Sequence, residues 1–268
     1  MRIKQCFDRL AAEGRKALVP YFTAGDPAGK TVDVLHSLVD NGADIIELGF
    51  PFSDPVADGP VIARAHERAL SHGVTLNDVF SMVASFRERD NDTPIVLMGY
   101  MNPIEIMGYE AFAKRASEAG VDGVLVVDLP PEFAGELLEQ LKLKGIEMIN
   151  LITPTTSDER IEKICSVATG YLYYVSLKGV TGSAALNVDN VRDRVAHIKG
   201  FTSLPVGVGF GIRDGASAAA IGQTADAVIV GTVLVSELAK YAEEGGECLT
   251  RAAACLAEMR TAMDNSEQ

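Results

Sequence analysis

The sequence has few of the features that mark secreted, membrane or nucleic-acid-binding proteins. It contains four cysteines, none with the spacing of a zinc site, and a chain of 268 residues is too long to need a disulfide framework. No apolar run approaches the roughly 20 residues that cross a membrane, and Asp8 and Arg9 stand where a signal peptide would be apolar. We therefore expect a cytoplasmic protein with reduced thiols and no membrane partner.

Basic residues are scarce relative to acidic ones. Lys and Arg number 24 and Asp and Glu number 37, which gives a formal net charge of −13. Such a chain would repel a phosphate backbone, so we expect no nucleic-acid partner, although backbone amides could still bind a small anion. The four histidines lie on predicted helices or at helix ends without metal-ligand spacing, so we expect no metal. A glycine–lysine phosphate loop and a nucleophile elbow are also absent from the sequence.

The chain lacks any segment with the composition of a linker, so we predict one domain over residues 1–268. Near-continuous apolar runs, typical of parallel strands covered on both faces, recur along it at 17–22, 45–48, 95–98, 123–127, 147–152, 171–175, 206–209 and 227–230. Helical patterns separate these runs, such as the shared face of Phe133, Leu137, Leu138 and Leu141. Eight strands alternating with helices predict a (β/α)8 TIM barrel with an additional N-terminal helix and extra helices. The alternative is an open doubly wound sheet, but the first strand–helix turn lacks its nucleotide-binding glycines.

Glu47 is the first candidate catalytic residue, because it stands in an otherwise apolar predicted strand. Its side chain points away from those of Ile46 and Leu48. If those two face the helices, Glu47 faces the barrel mouth. Burial there would raise the pKa of the carboxyl group toward neutrality, where it can give and take protons. The alternative is a structural ion pair at the end of the strand.

The loop after this strand, residues 51–60, is long and contains three prolines and two aspartates. Prolines stiffen a loop that must hold side chains in place. Asp58 could fold back over the mouth that Glu47 faces, and two carboxylates in unlike environments can divide acid and base roles. Asp54 and Asp58 can equally be turn or helix-cap residues.

Glycines follow the seventh and eighth predicted strands, the position where barrels of this kind often bind phosphate. Gly209, Gly211 and Gly231 would let an anion approach the backbone, and Thr232 opens the next helix. The alternative is that these glycines only make tight turns. The glycine- and hydroxyl-rich segment 176–183 is a candidate lid over the phosphate, and Tyr173 in the preceding strand is a candidate to reach the mouth.

Taken together, these segments resemble the tryptophan synthase alpha chain family. The similarity is carried by IELGFPFSDPVADGP at 46–60 and SLKGVTG at 176–182, and also by PYFTAGDP at 20–27, LMGYMNP at 97–103 and VGFGI at 208–212. It extends from the first helix to about residue 263. The resemblance implies a lyase of tryptophan biosynthesis with a TIM-barrel fold, which cleaves indole-3-glycerol phosphate to indole and glyceraldehyde 3-phosphate.

The resemblance also implies roles for individual residues. Glu47 falls on the catalytic acid/base and Asp58 on the carboxylate that holds the indole N–H. Tyr173 falls beside the glycerol phosphate, and Tyr21 and Leu125 fall on indole-pocket positions. The positions that match the phosphate-binding stretch are Thr181, Gly182, Gly211, Gly231 and Thr232. At Thr232 some family members have serine.

The resemblance implies no cofactor in this chain. It implies a beta-chain partner that carries pyridoxal phosphate, an alpha2beta2 tetramer, and closure of the loops 52–60 and 177–190 when that partner is engaged. Two other functions fit the residues alone. One is a different phosphate-binding barrel enzyme, an isomerase or aldolase, and the other is a non-catalytic barrel that activates a partner.

Overall fold

Eight parallel strands close into a barrel in which each strand pairs with its sequence neighbours and β1 pairs with β8. The computed structural model describes residues 1–176, 188–209, 211–244 and 248–266. The strands are β1 (Ala17–Thr23), β2 (Ile46–Gly49), β3 (Ile95–Gly99), β4 (Gly123–Val126), β5 (Glu147–Ile152), β6 (Leu172–Val175), β7 (Val206–Gly209) and β8 (Ala227–Val230).

Helices cover the outside of the barrel and one end of it. They are α1 (Arg2–Ala12), α2 (Thr31–Asp40), α3 (Pro60–Ser71), α4 (Leu76–Arg87), α5 (Met101–Met107), α6 (Tyr109–Ala119), α7 (Gly135–Leu143), α8 (Asp158–Val167), α9 (Val188–Lys199), α10 (Gly215–Gly222), α11 (Thr232–Glu244) and α12 (Cys248–Ser266). The predicted TIM barrel with an N-terminal helix and extra helices is therefore confirmed. No helix in the described part of the chain is long and apolar enough to span a bilayer. That residues 1–268 form one domain stays a prediction.

The apolar core has two parts, and α1 closes the inner one. Outward-facing strand residues such as Ile46 and Leu48 pack against the helices in a large outer cluster. Inward-facing residues form a second cluster inside the barrel, and Ile3, Cys6 and Leu10 of α1 belong to it. These three contact the inward-facing side chains at the start of the strands, so α1 covers the end of the barrel where the strands begin. The opposite end, where TIM barrels keep their active sites, is left open.

Polar side chains fix the N-terminal ends of the strands in a repeating way. Just before β2, β4, β6 and β8, an oxygen-bearing side chain accepts a hydrogen bond from a backbone N–H at the start of the preceding odd-numbered strand. The four pairs are Asp44 with Leu18 (2.9 Å), Asp122 with Ile95 (2.9 Å), Thr169 with Met148 (2.7 Å) and Asp226 with Val206 (2.8 Å). These hydrogen bonds thus link the strands in neighbouring pairs at the end of the barrel away from the mouth.

The prediction that Phe133 shares a helical face with Leu137, Leu138 and Leu141 is wrong. Leu137, Leu138 and Leu141 are buried on one face of α7, but Phe133 is 73% exposed in a 3-10 turn that precedes that helix. Pro130 and Pro131 fix this turn, so the α-helical period does not start until Gly135. Phe133 consequently projects from the loop after β4, at the open end of the barrel.

Candidate active site

A cavity of about 1020 Å3 opens at the carboxyl ends of the strands. The sequence-predicted residues that line it are Tyr21, Glu47, Asp58, Tyr173, Gly211, Gly231 and Thr232. These come from β1, β2, β6, the start of α11 and the loops after β2, β7 and β8, so the barrel closure brings together residues that are far apart in sequence. Thr181 and Gly182 lie outside the described residues.

Glu47 is fully buried on the inner face of β2. Its neighbours Ile46 and Leu48 belong to the outer cluster, so the alternation of the strand turns Glu47 inward. Burial raises the pKa of its carboxyl group to about 7, and a hydrogen bond donated by the Tyr171 hydroxyl to Oε1 (2.5 Å) partly opposes the rise. Oε2 has no hydrogen-bond partner among the described residues. The group is therefore able to hold or release a proton near neutral pH.

Asp58 is held at the edge of the cavity by the loop between β2 and α3. The Tyr100 hydroxyl donates to its Oδ2 at 2.7 Å, and the same hydroxyl accepts the Ala57 backbone N–H at 3.1 Å. Tyr100 also stacks on Phe52, with ring centroids 5.2 Å apart. The side chain of Asp58 is 10% exposed, so a ligand in the cavity meets a carboxylate with little water around it.

The three tyrosines of the β6 region divide between the two faces of the strand. Tyr171 and Tyr173 face inward, whereas Tyr174 belongs to the outer cluster against the helices. Tyr173 passes close over Gly209 of β7, where an added Cβ would lie 2.3 Å from the phenol oxygen. Any side chain at position 209 would therefore displace the Tyr173 ring.

The glycine-rich end of the cavity offers free backbone N–H groups. The first N–H groups of α11, at Thr232 and Val233, cannot be satisfied by carbonyls of their own helix. The N-terminus of α10 is already capped, because Asp214 accepts the Ser217 N–H at 2.8 Å. Gly211 has a φ of +82°, a conformation that favours glycine, and Arg213 adds a positive charge to the wall. An anion therefore fits this end of the cavity best.

Leu125, which the resemblance places in the indole pocket, is not among the residues that line the cavity, and its role there stays a prediction. It is fully buried in the inner cluster. Val127 of the same chain segment lines the cavity instead. The two side chains point the same way because they are two residues apart, but only the later one is near the carboxyl end of β4.

Sequence reasoning missed three side chains around the acidic pair. Tyr171 donates to Glu47, Tyr100 donates to Asp58, and the Nε2 of His66 lies 3.5 Å from Asp58 Oδ2. His66 was weighed from the sequence only as a metal ligand and was not placed beside Asp58. A signal for it existed, since His66 is the polar member of the buried face of α3, beside Ala65 and Ala69.

Comparison with known proteins identifies the family of the chain. Residues 7–264 match the family model described as tryptophan synthase alpha chain. The chain belongs to the tryptophan synthase alpha chain family. The tryptophan synthase alpha chain of Thioalkalivibrio sulfidiphilus is 56% identical over 264 residues, which cover 98% of this chain and 99% of that protein. That of Marinobacter nauticus is 54% identical over 265 residues, which cover 98% of each chain.

Solved structures of the family superpose over nearly the whole chain. The alpha subunit of Legionella pneumophila str. Paris gives a TM-score of 0.93 at 46% identity and covers 98% of both chains. A chain from Mycobacterium tuberculosis tryptophan synthase gives 0.88 at 36% identity, again with 98% of both chains covered. The alpha-chain fold thus extends over the barrel, α1 and α12 alike.

Proposed function

We propose that the cavity at the barrel mouth binds indole-3-glycerol phosphate and that Glu47 and Asp58 act on it directly. The alpha subunit of tryptophan synthase cleaves this compound in tryptophan biosynthesis, and membership of the family makes the chain a lyase with that activity. One observation supports the placement of the reaction most strongly. Glu47 is fully buried, its pKa is about 7, and one of its oxygens has no partner among the described residues.

The chemistry needs a group that moves protons near neutral pH. The indole C3 accepts a proton, and the hydroxyl on the adjacent side-chain carbon loses one. The bond between C3 and that carbon then breaks, and its electron pair returns to the ring. Indole leaves with the new hydrogen at C3, and the side chain becomes the aldehyde of glyceraldehyde 3-phosphate. A carboxyl group with a pKa of about 7 populates both of the forms that this exchange requires.

Positive charge develops on the indole ring when C3 is protonated. A carboxylate that accepts the indole N–H stabilises this charge, and it does so more strongly where water is excluded. Asp58 suits that role, since its side chain is nearly buried at the edge of the cavity. The N-terminus of α11, with Gly211 and Arg213, suits the phosphate, which would anchor the substrate away from the reacting bond.

The test is indole release from indole-3-glycerol phosphate by the purified chain. Glu47→Gln keeps the shape of the side chain but cannot transfer the proton, so kcat should fall by about a hundredfold or more while KM changes little. Glu147→Gln is the matched control, because Glu147 is also a buried glutamate of a barrel strand but lies at the closed end. A Glu47→Gln variant with a normal rate would rule out the acid/base role.

The partner and the cofactor complete the proposal. We infer that the chain works with a tryptophan synthase beta chain in an alpha2beta2 tetramer, and that pyridoxal phosphate is bound by that partner. Large apolar side chains on the segments that follow β2, β3 and β4 at the open end support a docking surface there. Val56 after β2 is 87% exposed, Ile106 after β3 is 83% exposed and Phe133 after β4 is 73% exposed. Isolated exposed apolar residues are common, but three on the segments after successive strands around one mouth are typical of an interface.

A further inference from the structure

A buried histidine lies against the carboxylate that we assign to the indole N–H. His66 is on α3 and is 1% exposed, and its Nε2 is 3.5 Å from Asp58 Oδ2. Tyr100 donates to the same oxygen. Oδ2 of Asp58 therefore has two potential donors beside it, whereas Oδ1 has no hydrogen-bond partner within the described part of the chain.

The backbone fixes which nitrogen of the His66 ring carries the proton. The Phe52 N–H donates to Nδ1 at 3.1 Å, so Nδ1 presents a lone pair and a neutral ring must carry its hydrogen on Nε2. Nε2 is buried and lacks a hydrogen-bond partner among the residues described. Its separation from Asp58 exceeds a good hydrogen bond by a few tenths of an ångström. Catalytic hydrogen bonds of this kind often tighten when substrate binds.

We propose that His66 is a positioning residue for Asp58, an inference that rests on the proposed function. With substrate in the cavity, the Nε2–H of His66 and the hydroxyl of Tyr100 both bind Oδ2. The carboxylate is then fixed with Oδ1 toward the indole N–H, and two donors stabilise its negative charge. His66 does not contact the reacting atoms, so its effect should appear in kcat rather than in substrate affinity.

A purely structural role for His66 makes a different prediction. In that case the ring would serve only to accept the Phe52 N–H and hold the start of the loop 51–60. Two variants separate the roles. His66→Leu removes both functions of the ring. His66→Gln keeps an N–H near the position of Nε2 but offers no acceptor at the position of Nδ1.

We expect His66→Leu to lower kcat for indole formation by about tenfold to a hundredfold, as for the loss of a hydrogen bond to a charged group, with KM changed by less than about threefold. His66→Gln should recover most of this loss. The proposal is overturned if His66→Gln is as slow as His66→Leu, or if His66→Leu turns over at the normal rate.

A second measurement covers the case in which His66→Leu does not fold. Nitrogen-15 NMR of the labelled chain reports the tautomer of each imidazole, and the His66 signals are those lost in His66→Gln. We expect an Nε2–H tautomer at pH 8, and an Nδ1–H tautomer would refute the mechanism. Failure of this inference is separable from failure of the proposed function. If Glu47→Gln is inactive while His66→Leu keeps full activity, the assignment of His66 alone is lost.

Discussion

A single buried carboxyl group links the chemistry of this protein to its stability. Glu47 has no solvent contact and, among the described residues, receives one hydrogen bond, from Tyr171. Ionising such a group is unfavourable, since burial removes water and one phenol replaces only part of the lost solvation. The pKa of about 7 that makes Glu47 useful as an acid and base is therefore a measure of how poorly the folded chain accommodates its charge.

This gives a prediction for stability against pH. The pKa of Glu47 is about 7 in the folded chain and 4.5 without burial. The folded state therefore binds the proton more tightly, and wild type should lose stability relative to Glu47→Gln as pH rises from 4.5 to 7. Above pH 7 the difference should level off, at no more than about 3 kcal/mol. Urea unfolding of both proteins at pH 5, 6, 7 and 8 measures the effect.

The control for this series is Glu139→Gln, on the exposed face of α7. Its stability should run parallel to that of wild type across the same range. If Glu47→Gln also stayed parallel to wild type, Glu47 would not hold a proton in the folded chain at neutral pH.

At the scale of the elements, the strands could be predicted closely and the contacts between them could not. Runs such as 206–209 and 227–230 became β7 and β8 without change, because a strand covered on both faces needs an uninterrupted apolar run. Alternation placed Glu47 opposite Ile46 and Leu48, and its side chain faces inward because those two pack against the helices. Phe133 was predicted wrongly because the helical spacing continued through a turn that two prolines had already fixed.

The parts of the site that escaped prediction depend on tertiary contacts. Tyr171 meets Glu47 across the interior of the barrel, so neither sequence position indicates the other. The closeness of His66 to Asp58 depends on how the loop 51–60 folds back onto α3. The side chains of Leu125 and Val127 point to the same face of the strand, and only how far the cavity reaches into the barrel determines which of them lines it.

The aspartates that precede the even-numbered strands have ion-pair partners that differ in burial. We therefore expect their substitution to lower the stability of the protein by unequal amounts. Asp122 pairs with Arg87 at 2.8 Å, and both side chains are less than a tenth exposed. Asp226 pairs with Lys199 at the same distance, but the lysine is 42% exposed. Asp122→Asn removes the nearer carboxylate from a buried arginine, which keeps only Asp90 at 3.8 Å, and should cost about 3 kcal/mol. Asp226→Asn leaves a lysine that water can solvate and should cost about 1 kcal/mol.

Urea unfolding at pH 7 measures both losses. The catalytic rate of the folded fraction should be unchanged in each variant, since both aspartates lie at the closed end of the barrel. Equal losses in the two variants would mean that the backbone hydrogen bond, and not the burial of the partner cation, sets the contribution of these aspartates.

The molecule as a whole has two unlike ends. At the N-terminal end, α1 closes the barrel, and buried ion pairs such as Asp44 with Arg260 tie helices to the strand starts. At the other end the cavity opens among loops that expose large apolar side chains. The inner apolar cluster with α1 and these ion pairs thus lie away from the site, while the open end combines the chemistry with the surface that we assign to the beta chain.

Docking at the open end can be tested with variants that change only that surface. Ile106 and Phe133 would each become buried in the complex, and burial of such side chains contributes about 1.5–3 kcal/mol apiece. Ile106→Asp with Phe133→Asp should therefore weaken binding of a tryptophan synthase beta chain by a hundredfold or so. Leu143→Asp is the matched control, because Leu143 is 71% exposed but ends α7 at the closed end. Calorimetric titration measures the affinities. If Leu143→Asp weakened binding as much as the double variant, the beta chain would dock elsewhere than on the loops around the cavity.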